Sequence, residues 1–428
     1  MTRTFSGYGE TDAESSSVNG TGLFSWSAVR DDNGRITQKT ETFGDGTTAT
    51  YVYDYDTVGR LLTVTKDGAV AESYQYDTRP YGIRTYQEVN DVTKSLSYND
   101  EDNLLTAGGV SYQHDDDGFL VSRTQETDVT TYDYSLRGEL LSVTLPDSTV
   151  IEYVHGPLGR RIAKKVGGTV TEKYLWQGLT RLLAVYNTDD TLKIRFEYAD
   201  ARMPVAMTKD GVTYYLAYDQ VGSLKAVSDS SGNVMLKREC DSFGNILDEE
   251  GTPPFEIPFG FAGGLHDSDT GLVRFGHRDY DPGTGRWTAK DPILFAGGDT
   301  DLYGYCLNDP VNWNDPSGLE LSSGENAAIA IVGAITATVA SGIGTPAAGA
   351  VAGGFVGFFG TLILGGDIQD AINNLAGGAL TGMTGGLYGQ LIEVAGWGMG
   401  RRILWSGWGY GFDLIVYGCD PVWPKPCP

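Results

Sequence analysis

The side chains able to do chemistry are densest between residues 254 and 319. Four Asp-Pro pairs, at Asp281, Asp291, Asp309 and Asp315, stand there beside Arg278 and two of the four histidines. Such aspartates admit two readings. Asp before Pro makes turns, the carboxylate accepting backbone N–H bonds while Pro fixes φ. Alternatively, two carboxylates held close cannot both be charged, so their pKa values split; one then activates water, the other donates a proton, and an arginine keeps one ionised. Other chemistries are poorly supplied. All four histidines (His114, His155, His266, His277) precede residue 320, which speaks against a His-based nuclease, zinc peptidase or acyl transferase in the C-terminal part. Cys240, Cys306, Cys419 and Cys427 have no metal-ligand spacing and are too scattered for a disulfide framework. Only Cys419 and Cys427, flanking a Pro-rich stretch, are positioned to close a small loop in an oxidising compartment. No P-loop or dinucleotide fingerprint follows a strand pattern, so no cofactor is implied.

The 428 residues carry 31 Lys+Arg against 56 Asp+Glu, a net charge of −25 that disfavours a phosphate backbone as partner; no nucleic acid is expected for residues 1–319. Glycine, at 59 residues, has no collagen period, and 25 tyrosines among many Val, Thr and Leu argue for a folded chain. The opening MTRTFSGYGETDAESSSVNG lacks a basic region followed by an apolar one, so a secreted or cell-surface location is expected by a route other than Sec.

The elements that must position the aspartates are strands. TATYVYDY, RLLTVTKDG, ELLSVTLPD, TVIEYVHG and LKIRFEYAD alternate with period two and are separated by hairpin signals such as KDG, TDDT and SSGN. A unit recurs at spacings on the order of 20 residues. It reads Tyr55-Asp56 then Gly59-Arg60-Leu61; Tyr76-Asp77 then Gly82 and Arg84; Tyr112 with Asp115, Gly118 and Leu120; Tyr134 with Gly138 and Leu140. Further copies are Tyr153 with Gly159-Arg160, Tyr218-Asp219 with Gly222 and Leu224, and Asp241 with Gly244-Asn245. The aromatic ends a strand, Asp bonds its own backbone, Gly supplies positive φ, and the next residue restarts a strand. One unit cannot bury its apolar face alone, so neighbours must stack.

The YD units and the 254–319 block together resemble the RHS/YD-repeat family, the block being similar to its RHS-associated core. The motifs that carry the resemblance are Phe261 with Thr270-Gly271-Leu272; Arg278 with Tyr280-Asp281-Pro282 and Gly285-Arg286-Trp287; Asp291-Pro292-Ile293; Leu302-Tyr303-Gly304-Tyr305; Asn308 and Pro310; and Asp315-Pro316-Ser317-Gly318-Leu319. The resemblance implies a spiralling antiparallel sheet forming a partial β-shell, closed by the core, with a variable C-terminal effector released from it. In members such as the C component of insecticidal toxin complexes the core is an aspartyl-type autoprotease cutting after the Leu of D-P-x-G-L. Carried onto this chain, the scissile bond is Leu319–Glu320, Asp291 and Asp315 are the carboxylates, and Arg278 supports them. Asp279, Asp301 and Asp309 stand where the family has an aromatic or Asn, and Gly264 lies near a Gln-like position; the extra acids are expected to raise the pKa values of the pair. The repeat region, shorter than in shell-forming members, implies either a separate repeat-rich partner to complete the shell or a shortened member whose sheet stays open, and an effector implies an immunity protein.

The expected organisation is a poorly defined segment over 1–50, a YD-repeat array over 51–253, the core over 254–319, and an effector-like, Gly/Ala-rich helical tail over 320–428. Asn326 to Gly366 contains no charged residue, long enough for two membrane spans broken at Gly344 to Pro346, with Gly349, Gly353 and Gly357 four apart. Buried packing of the same helices is the competing reading. Two function classes follow: a toxin carrier releasing an effector that acts on a target membrane, or a non-enzymatic cell-surface or extracellular repeat protein anchored by its tail.

Overall fold

The computed structural model describes residues 1–323, apart from 8, 80, 81, 158, 200, 201, 252 and 254, together with the strands Arg401–Gly407 and Phe412–Gly418. Two compact units divide the chain, Met1–Ala327 and Ala328–Pro428. The first is built on one 24-stranded antiparallel sheet running from Thr2–Phe5 to Ile246–Glu250, each strand pairing with the next in sequence. Residues 1–50, expected to be poorly defined, contribute four of these strands and belong to the same sheet. Their Ser- and Thr-rich sequence hid a period-two pattern in which Val18, Leu23, Phe24, Trp26 and Ile36 are buried.

The hairpins turn differently at their two ends. At one end two-residue loops such as Asp67-Gly68 and Asp210-Gly211 have positive φ at both positions, as a primed turn demands. At the other end lie the YD turns. Asp56 Oδ1 accepts the N–H groups of Val58 and Arg60, at 3.0 and 2.9 Å, and Gly59 donates to the Asp56 carbonyl with φ +96°. Asp31, Asp219 and Asp241 repeat this cap. The register shifts next to these turns, between Asp54 and Tyr55, Gln75 and Tyr76, Asp133 and Tyr134, Glu197 and Tyr198, and Ala217 and Tyr218. A bulge adds local twist. Repeated at one end of every second hairpin, it coils the sheet.

The tyrosines also lock one unit to the previous one. Tyr55, Tyr76, Tyr98 and Tyr198 donate their hydroxyls to the carbonyls of Ile36, Leu61, Arg84 and Leu182 at 2.6 to 2.8 Å, and Trp176 does so through Nε1 to Arg161. Arg60 lies over the Tyr76 ring at 4.5 Å. Tyr76→Phe deletes the hydroxyl bond and keeps the ring, and is expected to cost about 1 kcal/mol in urea unfolding.

Coiling brings the last strands over the first. Leu23, Phe24 and Trp26 pack with Ala217 and Ala226. Glu41 bridges Lys39 at 2.8 Å and Lys225 at 2.9 Å, all three buried. The sheet does not close into a barrel, since its first and last strands do not pair with each other. Glu72 adds a second, less comfortable contact. It accepts from the Ser242 N–H at 3.1 Å and the Tyr74 hydroxyl at 2.6 Å, while burial and then the Asp241 charge push its carboxyl up to about 7. In the unfolded chain it titrates near 4.5. The folded state therefore holds a proton that the unfolded state has lost between these values, and stability falls as pH rises from about 4.5 to 7. Glu72→Gln is expected to flatten that slope in pH-dependent unfolding and to stabilise the protein at pH 8.

The core sits against the YD-turn end. The Ile36 N–H donates to Asn312 Oδ1, Leu120 N–H to the Thr288 carbonyl, Arg274 to the Gly159 carbonyl, Asn314 to the Val221 carbonyl and the Tyr280 hydroxyl to the Phe243 carbonyl. These partners lie at or beside five of the YD-type turns spread along the sheet, so the core is seated against that end. Its own sheet has four short strands, Leu265–His266, Val273–Phe275, Arg278–Asp281 and Arg286–Trp287, around buried Phe261, Phe275, Tyr280, Trp287 and Tyr305.

In the second unit Arg401–Gly407 pairs antiparallel with Phe412–Gly418; the helical tail expected over 320–428 otherwise lies outside the described residues. The remaining tail expectations, including the two membrane spans and Cys419 with Cys427, lie outside the described residues. Among the described residues no helix is long and apolar enough to cross a membrane.

Candidate active site

Arg278 stands on a core strand fixed by pairing with Val273–Phe275, its guanidinium 4.2 Å from the Trp287 ring centroid. Its Nε donates to the Gly318 carbonyl at 2.6 Å, which ties the strand to the Asp315–Leu319 turn. Glycine is required at the crossing: a Cβ at Gly276 would lie 2.1 Å from the Ser317 carbonyl oxygen, and one at Gly318 2.4 Å from that of Phe275. The His277 N–H donates to the Ser317 carbonyl across it.

Five residues implied by the sequence motifs meet here. Arg278 Nη2 lies 2.9 Å from Asp291 Oδ2 and 3.2 Å from Asp315 Oδ2. Asp315 Oδ1 accepts the N–H groups of Leu319 and Glu320 at 3.1 and 3.2 Å. The Leu319 carbonyl lies on the other side, with Asp291. A Cβ built on Gly297 would meet Asp291 Oδ2 at 2.6 Å and Leu319 O at 2.7 Å. The Leu319–Glu320 peptide thus has its nitrogen toward one aspartate and its oxygen toward the other.

The two readings of the Asp-Pro pairs coexist. Asp291 Oδ1 accepts the Ile293 N–H at 2.9 Å and Asp315 Oδ1 accepts from Ser317 Oγ at 3.0 Å, the ordinary work of a turn. The second oxygen of each carboxylate is left for Arg278. Asp281 and Asp309 make turns only, to Gly283 and Asn312.

Burial raises the Asp291 and Asp315 pKa values, and Arg278 opposes this in both. Asp315 and Glu320 push Asp291 further up. Two of the three extra acids expected to crowd the pair are held by arginines instead. Asp279 is held by Arg161 at 2.8 Å and Arg274 at 2.6 Å, and Asp301 by both Nη atoms of Arg286 at 2.7 and 2.9 Å. Two residues went unnoticed in the sequence. Ser317, whose Oγ lies 3.2 Å from the Leu319 and Glu320 nitrogens, was hidden as the variable position of D-P-x-G-L. Gly297 was one glycine among 59. Among the described residues no three His, Cys, Asp or Glu side chains are arranged to hold a metal ion.

Residues 1–311 match the Teneurin YD-shell family. Teneurin-3 of Danio rerio is 30% identical over 309 residues, covering 68% of this chain and 11% of that protein. Teneurin-3 of Mus musculus is 32% identical over the same length and shares. The tRNA3(Ser)-specific nuclease WapA of Bacillus spizizenii is 30% identical over 287 residues, 65% of this chain and 11% of the nuclease. The chain therefore spans 11% of the length of each of these relatives. Among solved structures, TcdB2-TccC3-TEV is similar at 16% identity and a TM-score of 0.34, over 74% of this chain and 21% of that one.

Proposed function

Given that the chain belongs to the teneurin YD-shell family, a family of RHS/YD-repeat proteins, we propose that it is a toxin-type carrier whose core cuts its own Leu319–Glu320 bond and frees residues 320–428. One observation carries this reading: the peptide's N–H rests on Asp315 while its carbonyl oxygen shares the space beside Gly297 with Asp291. Asp291, ionised beside Arg278, takes a proton from a water that attacks the Leu319 carbonyl carbon. Asp315, whose burial favours its protonated form, gives a proton to the Glu320 nitrogen as the C–N bond breaks, leaving a carboxylic acid on Leu319 and an amine on Glu320. Water is the only co-reactant.

The freed part acts at a target membrane, an immunity protein protects against it, and a repeat-rich partner completes the shell by pairing with an open sheet edge, where backbone N–H and C=O groups lack a neighbour. Mass spectrometry of the purified, denatured protein tests the cut: two species are expected, the smaller beginning at Glu320. A single full-length species favours the non-enzymatic surface protein instead. Leakage of dye from liposomes exposed to the cleaved protein tests the target, and no leakage at any pH would remove the membrane. Gly297→Ala inserts a methyl group between Asp291 and the Leu319 carbonyl and is expected to slow cleavage on the order of 10²-fold, with an unchanged far-UV spectrum.

A further inference from the structure

Between the sheet and the core lies a cavity of about 20 Å³. Arg160, Arg161 and Arg202 line it from the sheet and Arg274 from the core, in a chain whose net charge is −25. Among the described residues one carboxylate forms ion pairs with the group, Asp279 with Arg161 and with Arg274, while Asp267 and Glu139 act on these two at longer range. Arg160 donates to the Gly178 carbonyl at 2.6 Å, and Arg202 to those of Ala262 and Val221 at 2.9 and 3.2 Å. Among the described residues neither has an ion-pair partner. Arg161 Nε and Arg274 Nε are buried and make no hydrogen bond.

Arginines short of counter-charge attract an anion, and the buried Nε donors of Arg161 and Arg274 are costly without an acceptor. Burial also depresses the pKa of Arg202 and of Arg274, the latter further through Arg161. One small anion in the cavity would meet both deficits. The volume holds one or two water-sized particles, enough for a halide and too little for a tetrahedral oxyanion. We propose that this cavity binds a monovalent inorganic anion of chloride's size, which joins the sheet arginines to Arg274 and so holds the core against the strands. Pro316, in the turn that carries Leu319, forms part of the wall.

Thermal unfolding of the purified chain in mixtures of sodium chloride and sodium gluconate at constant ionic strength tests this. Chloride, and bromide in its place, are expected to raise Tm by about 3 °C and to saturate, as a specific ligand does, whereas sulfate and phosphate are not. Arg202→Gln is expected to abolish the chloride response. Because that variant also loses two carbonyl contacts, crystals of the wild-type chain soaked in bromide provide a second reading, with an anomalous peak expected in the cavity. Equal Tm in chloride and gluconate overturns the proposal. So do ordered waters at both Nε atoms without a bromide peak, or a peak with no effect on Tm.

Discussion

If the proposed self-cleavage operates, Asp315→Asn is expected to leave a single full-length polypeptide where the wild-type chain is expected to divide after Leu319, and Asp291→Asn to do the same. Asparagine keeps the shape and the turn-capping oxygen of each residue, so the Asp315 contacts to Leu319 and Glu320 survive. What is lost is the proton held at 315 or the base at 291. Removing such a group slows the step by on the order of 10² to 10⁴-fold. The pH dependence carries a further signature. Asp315 must be protonated and Asp291 ionised, so the rate falls on both sides of an optimum. Burial raises both carboxyls, so that optimum lies above the ordinary aspartate range. Arg278 acts through the pair and not on the peptide; Arg278→Lys should keep a slow reaction but shift its pH profile, because a point charge cannot hold two carboxylates in the guanidinium's geometry. A time course on freshly translated protein, followed by denaturing electrophoresis across pH 4 to 9, reads all three variants. Cleavage persisting at the wild-type rate in either asparagine variant would end the two-aspartate mechanism.

Glu41→Gln is expected to be the most destabilising single change in the sheet. Glu41 is 1% exposed and is the carboxylate between Lys39 and Lys225, which belong to strands about 180 residues apart in sequence that the coiling brings face to face. The lysines hold its carboxyl down to about 2, against 4.5 in the unfolded chain, despite the opposing cost of burial. Neutralising it removes the ion-pair partner of two buried ammonium groups and leaves them only the longer-range charge of Asp219, which costs roughly 3–5 kcal/mol. The same linkage sets a pH window. With a depressed folded pKa, the contribution is complete above about 4.5 and is lost as pH falls toward 2. Equilibrium urea unfolding of wild type and variant between pH 2.5 and 8 should therefore converge at the acid end. A constant difference across that range would mean that the seam is not electrostatic. Glu72, a few strands away, has the opposite sign because burial, and then the charge of Asp241, raise its pKa with no paired cation among the described residues to offset them, so the two seam contacts respond to pH in opposite directions.

Much of this molecule was legible in one dimension. Period-two alternation in TVIEYVHG or LKIRFEYAD dictates strands wherever one face is buried, and the Asp–Gly spacing of Tyr55-Asp56 to Gly59 dictates a turn because the carboxylate and the positive φ act within five residues. The ordered motifs from Arg278 to Leu319 picked out residues that the fold brings together. Other features depend on distance along the chain and could not be read locally. Nothing near Tyr76 says that its hydroxyl reaches Leu61, and nothing near Lys225 says that Glu41 awaits it. The bulges beside the YD turns decide the curvature, and curvature, accumulated over 24 strands, decides which residues meet. The acids at 279 and 301 looked like crowding around the catalytic pair because sequence spacing does not reveal that Arg161, Arg274 and Arg286 neutralise them. Local hydrogen bonding and side-chain alternation are written in neighbouring residues, whereas charge pairing and burial belong to the coil as a whole.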